Sequence, residues 1–163
     1  MMVSEIVTKM IEYSKGNLHD INHFMKVYAY AKIIGECEKL DNDTQTVLEV
    51  SAIVHDIACP LCREKYENTN GKYQEKEGEI LVAEFLKDTE YSEEFINRVI
   101  FLVGHHHTIK DITGLDYQIL IEADYIVNAD ESNYSKENIN IMMEKIFKTT
   151  TGIAVLKSIY GLN

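Results

Sequence analysis

Four side chains of the types that bind divalent metals fall on the apolar faces of predicted helices. His23 lies on the same helical face as a row of valine, alanine and isoleucine side chains. His55 and Asp56 stand together inside the apolar run AIVHDIA, and Asp124 shares a face with leucine, isoleucine and valine. These positions predict that two imidazoles and two carboxylates point into the protein interior.

A buried carboxylate without a partner and a buried charged imidazole are both costly, so these groups need compensation. One shared divalent cation compensates all of them, and such nitrogen and oxygen ligands suit Mn²⁺, Fe²⁺ or Zn²⁺. Any one of these histidines alone is more often a core imidazole bonded to a backbone carbonyl. The combination of His23, His55, Asp56 and Asp124 favours a metal site.

A second group of histidines ends the fifth predicted helix, in the sequence GHHHT. His106 and His107 continue apolar stripes of that helix, whereas His105 falls on the side of Arg98. His19 lies one turn before His23, so it could line a pocket or shuttle a proton. The alternative is that His19 is a residue of the first helical turn with no role in a pocket.

The elements that must position these residues are helices. One proline and eight glycines leave few chain breakers, and apolar residues recur every three or four positions. The pattern predicts an all-α fold of about eight helices. Their predicted bounds are Val3–Tyr13, Asp20–Leu40, Asn42–Ile57, Tyr73–Lys87, Ser92–His107, Asp116–Asn128, Ser135–Phe147 and Gly152–Tyr160. The longest irregular stretch, Cys59–Lys72, is expected to be a functional loop.

The chain of 163 residues is long enough for one domain with a sizeable core. Its formal net charge of −11 disfavours binding to nucleic acid or to an anionic membrane. The N-terminus lacks the basic start and apolar run of a signal peptide, and no stretch approaches the roughly 18 apolar residues that cross a membrane. These features predict a cytoplasmic protein, either a monomer or a homodimer.

Three cysteines, an odd number, argue against a disulfide framework. Cys59 and Cys62 have the CxxC spacing of redox and zinc sites, but a structural zinc needs two further ligands. A thioredoxin-like motif would need a preceding strand. We interpret them as incidental loop cysteines near a pocket mouth, with an oxidisable thiol pair as the alternative.

The ordered set of ligands resembles the signature of the HD-domain superfamily of metal-dependent phosphohydrolases, a histidine, a His-Asp pair and a distant aspartate on successive helices. His23 in HDINHFMKVYAYAKI, His55-Asp56 in LEVSAIVHDIA and Asp124 in ILIEADYIVN match it, over about residues 17–130. The resemblance implies one domain of five or more helices built around a metal, and we expect the C-terminal helices of residues 135–160 to pack on it. It also implies that Asp56 can bridge two ions.

Members of the superfamily with two metals have a further histidine four residues before a glycine, where this chain has Gln74 before Gly78. An amide oxygen is a weaker ligand. The resemblance therefore implies one divalent ion (Mn, Fe, Zn, Ni, Co or Mg) and leaves a second ion open. His106 and His107 match the later histidine pair of these members and would serve a second ion or a phosphate.

The implied activity is hydrolysis of a phosphate ester or anhydride of a small molecule, with a nucleotide favoured, by metal-activated water. Asp56 would orient that water. Lys26, where a similar subgroup places arginine, and the loop residues Arg63 and Lys65 are candidates to meet phosphoryl charge, with a solvated surface charge as the alternative. The predicted catalytic residues are Asp56, Lys26 and His19. The predicted substrate contacts are Gln74 and Arg63.

Two other functions fit the same residues. A subgroup that hydrolyses dinucleoside polyphosphates resembles this chain in its ADY segment, but Gln74 departs from that subgroup. A metal-stabilised sensor that binds a nucleotide without turnover is the non-enzymatic alternative. A cyclic-dinucleotide phosphodiesterase is disfavoured, because the stretch after the histidines reads TIKDITGLD instead of a GYP-type sequence.

Overall fold

The computed structural model describes all 163 residues and contains nine α-helices and no β-strand, which confirms the predicted all-α class. The helices are α1 (Val3–Tyr13), α2 (Leu18–Cys37), α3 (Asn42–Val54), α4 (Cys59–Tyr66), α5 (Gly71–Leu86), α6 (Glu93–Val103), α7 (Leu115–Glu131), α8 (Lys136–Ile146) and α9 (Thr150–Tyr160). None of them combines the length and the apolarity that crossing a membrane requires.

Most of the helices begin at a capping residue that the sequence supplies. Asn17 accepts a hydrogen bond from a backbone amide in the first turn of α2, and Asp41 accepts from two amides in the first turn of α3. Ser92 caps α6 in the same way. These side chains satisfy backbone donors that have no partner within the first turn of a helix.

The centre of the molecule is made by α2, α3 and α7, which pack against one another. α5 and α6 pack as a second pair, α6 also contacts α3, and α8 and α9 pack on α7. α7 is deeply buried, since Tyr125 is the one residue of the stretch 116–127 that is partly exposed. Because α2, α7 and the turn that follows α3 carry candidate ligands, the packing of α2, α3 and α7 brings those ligands together.

One segment predicted to be irregular contains a helix. The sequence pattern predicts a loop at Cys59–Lys72, but α4 occupies its first eight residues. Pro60 lies in the first turn, where its missing amide costs no hydrogen bond, and Glu67 follows the helix in a left-handed conformation. Cys59 and Cys62 are free thiols that are buried in α4, so they do not lie on a loop at a pocket mouth. The loop prediction is wrong because two helical turns are too short to show a clear apolar period.

Two turns carry histidines of interest. The sequence pattern predicts helices that continue to Ile57 and His107, but α3 ends at Val54 and α6 ends at Val103. His55 is the residue that follows the last turn of α3. The His-Asp pair and the GHHHT segment therefore lie at the carboxyl ends of two helices and in the turns that follow them.

Candidate metal centre

The imidazoles of His23 and His55 face each other between α2 and the turn after α3. Their Nε2 atoms are 3.1 Å apart, and both rings are buried. Asp56 Oδ2 lies 3.2 Å from His23 Nε2 and 3.5 Å from His55 Nε2. Asp124 Oδ1, from α7, lies 3.3 Å and 3.4 Å from the same two nitrogen atoms. The three central helices therefore bring four side-chain ligand atoms into one cluster.

Hydrogen bonds on the outer side of each ring set the orientation of the two imidazoles. His23 Nδ1 donates to Glu131 Oε2 at 2.7 Å, and His55 Nδ1 donates to the backbone oxygen of Ala52 at 2.7 Å. In its neutral form each ring therefore carries its proton on Nδ1, and the lone pairs of the two Nε2 atoms point at each other. Two such lone pairs repel unless a proton or a metal ion lies between them.

The two carboxylates make this cluster attractive to cations. Burial works against a charged imidazole, but hydrogen bonds to Asp124 and Asp56 raise the pKa of His23 to about 11. Burial would raise the pKa of each of the two carboxyl groups, but the neighbouring imidazoles hold both pKa values below the ordinary range. The field that holds an extra proton on His23 equally favours a divalent cation in its place.

The distances within the cluster fit a metal site. Nitrogen and oxygen ligands lie about 2.0–2.2 Å from zinc, which separates neighbouring ligand atoms by about 2.8–3.6 Å in octahedral or tetrahedral arrangements. The five separations between an imidazole nitrogen and its neighbouring ligand atom run from 3.1 Å to 3.5 Å. Two neutral imidazoles and two carboxylates are also a donor set that Mn²⁺, Fe²⁺ and Zn²⁺ accept. His23, His55 and Asp56 can therefore hold one ion, and Asp124 Oδ1 lies close to both imidazole nitrogens.

Asp56 also faces a second group of ligands. Its Oδ1 atom lies 3.3 Å from His106 Nε2, and ligand atoms of Asp56, His106 and His107 lie within 4.8 Å of one another. His106 Nδ1 donates to the backbone oxygen of Val103, while the buried Nε2 atom makes no hydrogen bond. A buried polar atom without a partner calls for an explanation, and an ion supplies one. Asp56 thus lies between two candidate metal positions, with one oxygen towards each.

The HD domain family model matches residues 20–138 of the chain. The chain belongs to the HD domain family. Its fold is similar to the crystal structure of a predicted HD superfamily hydrolase from an uncultured Thermotogales bacterium, with a TM-score of 0.72 and 23% sequence identity, covering 97% of this chain and 84% of that chain. The chain matches no curated protein. HD domains bind divalent metals, so the family and the ligand geometry indicate the same kind of site.

In this HD domain, Gln74 orients His107. Gln74 Nε2 donates to the backbone oxygen of Thr69 at 2.7 Å, which turns Gln74 Oε1 towards His107. This oxygen accepts a hydrogen bond from His107 Nε2 at 3.0 Å. Burial and the nearby His106 lower the pKa of His107 to about 4, which keeps the ring neutral. Gly71 leaves room for this ring, since a Cβ atom at Gly71 would lie 2.9 Å from it. His107 Nδ1 is therefore the ring atom left to bind a metal.

The basic residues predicted to meet a phosphate are all paired with carboxylates in this HD domain. The three ion pairs, each at 2.7 Å, are Lys26 with Glu131, Arg63 with Asp20 and Lys65 with Glu77. Each basic charge is thus balanced by a carboxylate of the chain itself. His19 is 74% exposed and lies 3.6 Å from Asp20, and the structure does not bring it into the ligand cluster. The catalytic roles of Lys26 and His19 and the substrate contact of Arg63 stay predictions.

Sequence reasoning missed Glu131, which contacts the outer side of His23. The predicted helix ends at Asn128, whereas α7 continues to Glu131. Asp124 and Glu131 are seven residues apart and therefore lie on one helical face, which is the signal that could have found Glu131. Asn128 was missed as well. It lies one turn after Asp124 and donates to Asp124 Oδ1 at 2.9 Å.

A cavity of about 330 Å³ opens beside the ligand cluster. Asp124, His106 and His107 form part of its lining, and side chains of α7 and α8 form most of the rest. A larger cavity, of about 550 Å³, is lined by residues of α3 and α6 and contains no member of the cluster. A molecule bound in the smaller cavity would therefore touch candidate metal ligands.

Proposed function

We propose that this HD domain is a metal-dependent phosphohydrolase that cleaves a phosphate ester or anhydride of a small molecule, with a nucleotide as the favoured class. The observation that carries the proposal is the pair of facing Nε2 atoms of His23 and His55, 3.1 Å apart, with carboxylate oxygens of Asp56 and Asp124 beside them. This arrangement in the interior is best explained by a shared ion.

His23, His55, Asp56 and Asp124 would hold that ion, and His106 with His107 would serve a second ion or the phosphate. A divalent metal bound by such ligands lowers the pKa of a coordinated water towards about 7 and polarises a phosphoryl oxygen. The remaining tasks, which are to orient the water, to fix the ligands and to receive the substrate, fall to side chains of the chain itself.

Asp56 orients the attacking water. The neighbouring imidazoles keep the pKa of Asp56 low in spite of burial, so the carboxylate is ionised and only accepts hydrogen bonds. A water that donates a hydrogen bond to Asp56 Oδ1 turns its lone pair away from the carboxylate and towards the substrate. His106 Nε2 lies 3.3 Å from Oδ1, so it borders the space in which this water would stand.

Glu131 orients the imidazole of His23 from the side that points away from the ligand cluster. Its Oε2 atom accepts a hydrogen bond from His23 Nδ1 at 2.7 Å, and its Oε1 atom lies 2.7 Å from Lys26 Nζ. A carboxylate in this position sets the tautomer of a metal-binding histidine and increases its basicity. We therefore place Lys26 in a supporting role behind His23, where it would hold Glu131 in place.

Metal analysis combined with a phosphatase assay tests the proposal. The purified protein, supplied with Mn²⁺, is expected to release phosphate from one or more members of a panel of nucleotides and simple phosphate esters. Asp56→Ala is expected to lower both the metal content and the turnover, the latter by about a hundredfold or more. Asp88→Asn, at an exposed aspartate away from the cluster, serves as the matched control.

Two results would remove the proposal. One is an Asp56→Ala protein that keeps both its metal and its turnover. The other is tight nucleotide binding by the wild-type protein without product at any metal concentration, which would instead indicate the sensor function. A dinucleoside tetraphosphate in the same panel distinguishes the polyphosphate-hydrolase alternative.

A further inference from the structure

The cavity of about 330 Å³ beside the ligand cluster has a lining whose chemistry restricts what can bind there. We propose that it receives the uncharged, ring-bearing part of a phosphate monoester, and that nucleoside monophosphates are therefore favoured over nucleotides with longer phosphate chains. The inference rests on the proposed function, since it assigns a substrate class to the same site.

The position of the cavity makes it the place for the group that carries the phosphate. Asp124, His106 and His107 line one end, and the remainder extends along α7 and α8 away from the cluster. A phosphate at the ligand cluster would therefore leave the rest of its molecule in this cavity. Its volume is at the lower end of the roughly 300–1,000 Å³ common for small-molecule sites, which suits one nucleoside better than two.

The charges around the cavity argue against a polyphosphate. No lysine or arginine lines it. Lys26, Arg63 and Lys65, the basic residues that the sequence offers for a phosphate, are each paired with a carboxylate. The net charge of −11 also repels a highly anionic ligand. Metal and imidazoles can balance one phosphate, but nothing in the cavity is left to balance a second or third.

Two asparagine side chains offer a fixed donor and a fixed acceptor to a ligand. Tyr125 Oη donates to Asn138 Oδ1 at 2.7 Å, which leaves the Asn138 amide group as a donor. Asn128 Nδ2 donates to Asp124 Oδ1 at 2.9 Å, which leaves Asn128 Oδ1 as an acceptor. A nucleobase carries C=O and N–H groups that can bond to such a donor and such an acceptor.

Aromatic and aliphatic side chains provide surfaces for a flat ring. Tyr125 and Tyr134 lie with ring centroids 5.7 Å apart, and Tyr134 is 38% exposed. The aliphatic part of the lining includes Ile109, Ile121 and Met142. Rings in contact with tyrosine gain both apolar burial and favourable stacking geometry. An uncharged ring thus finds apolar contact and hydrogen bonds in the same cavity.

A substrate series tests the inference on the metal-loaded wild-type protein. Nucleoside 5′-mono-, di- and triphosphates of one base are compared by kcat/KM at a fixed excess of Mn²⁺. We expect the monophosphate to exceed the triphosphate by about tenfold or more. Equal or higher kcat/KM for the triphosphate would overturn the inference while leaving the phosphohydrolase function intact.

A binding measurement tests, without any hydrolysis, whether the cavity binds a nucleoside. In metal-free ¹⁵N-labelled protein, the side-chain amide signals of Asn128 and Asn138 are expected to shift on addition of a nucleoside, but not on addition of pyrophosphate. Asn138→Leu should weaken nucleoside binding by about two- to tenfold, the effect of one lost hydrogen bond. Asn140→Leu, an exposed position on the same helix, is the matched control.

The two measurements separate the failure of the inference from the failure of the proposed function. If no substrate is hydrolysed, the proposed function falls, and the amide shifts still decide whether the cavity binds a neutral ring. If phosphate is released but nucleoside leaves the amide signals unmoved, the inference falls alone. Equal weakening by Asn138→Leu and Asn140→Leu would also contradict it.

Discussion

Glu131 shows how a residue outside the ligand cluster can determine what a ligand does. It accepts a hydrogen bond from His23 Nδ1, and this bond turns the His23 Nε2 lone pair towards His55. Burial opposes ionisation of Glu131, but Lys26 and His23 together lower its pKa, so the carboxylate is charged. The cluster of ligands thus depends on a carboxylate that makes no contact with the candidate ion.

Glu131→Ala is expected to weaken metal binding by about ten- to a hundredfold, because the His23 ring loses the acceptor that orients it. Competition with a metal-sensitive dye measures the affinity. Glu137→Gln, at an exposed position on α8, should bind metal as the wild type does. Unchanged affinity in the Glu131→Ala protein would show that packing alone orients His23.

At the scale of elements, a tyrosine of α7 forms hydrogen bonds with the backbone of the turn after α6. The Tyr117 hydroxyl shares its one hydrogen between the backbone oxygens of His105 and Thr108, and the Tyr117 ring is buried. His106 and His107 lie between these two carbonyl groups in the chain. A single side chain therefore fixes the segment that carries the second group of ligands.

Tyr117→Phe is expected to lower the free energy of unfolding by about 1–2 kcal/mol, because the partly buried backbone oxygens of His105 and Thr108 lose the one O–H group that they share. Urea unfolding measures the change. Tyr30→Phe is the control, since the Tyr30 hydroxyl makes no hydrogen bond within the protein and its loss should cost less. Equal stability of the Tyr117→Phe protein and the wild type would mean that water replaces the hydroxyl.

Glu77 joins α4 to α5. Its Oε1 atom accepts from Lys65 Nζ at 2.7 Å and from the Tyr66 hydroxyl at 2.5 Å, and these bonds lower the pKa of Glu77 from its ordinary value. A lowered carboxyl pKa adds stability above the unfolded-state pKa, and this stability is lost as the pH falls through the folded-state pKa. The link between the two helices is therefore sensitive to acid.

The destabilisation caused by Glu77→Gln should be largest above about pH 4.5 and should shrink in more acidic solution. Urea unfolding of the wild type and the variant at several pH values between about 3 and 7 gives this difference. Glu64→Gln, at an exposed neighbour on α4, should show no such trend. A pH-independent difference for Glu77→Gln would rule out ionisation of Glu77 as its source.

At the scale of the whole molecule, the helical class and the convergence of His23 and Asp124 could be predicted, because apolar faces of helices must meet in a core. The periodicity predicts a buried aspartate at position 124, and the structure places this aspartate beside His23 and His55. Periodicity says less about residues beyond a helix end. His107 depends on the turn after α6, which the sequence pattern extends as a helix.

The pairing of charges could not be predicted, because it depends on contacts between residues far apart in the chain. Lys26 and Glu131 lie on different helices, and only the packing of α2 on α7 brings them together. The same holds for Arg63 and Asp20, which α4 and α2 supply. These pairs support the proposed preference for a substrate with a single phosphate, since the basic residues that the sequence offers for a phosphate already have carboxylate partners.

The central claim is that His23, His55, Asp56 and Asp124 share one ion. Anomalous scattering at the Mn, Fe and Zn edges, from crystals grown with excess metal, tests it most directly. We predict a peak within bonding distance of the two Nε2 atoms and the two carboxylates, and a second peak beside Asp56 Oδ1 and His106 if two ions bind. Crystals with no peak at these four residues, or with ion density only at other sites, would contradict the claim.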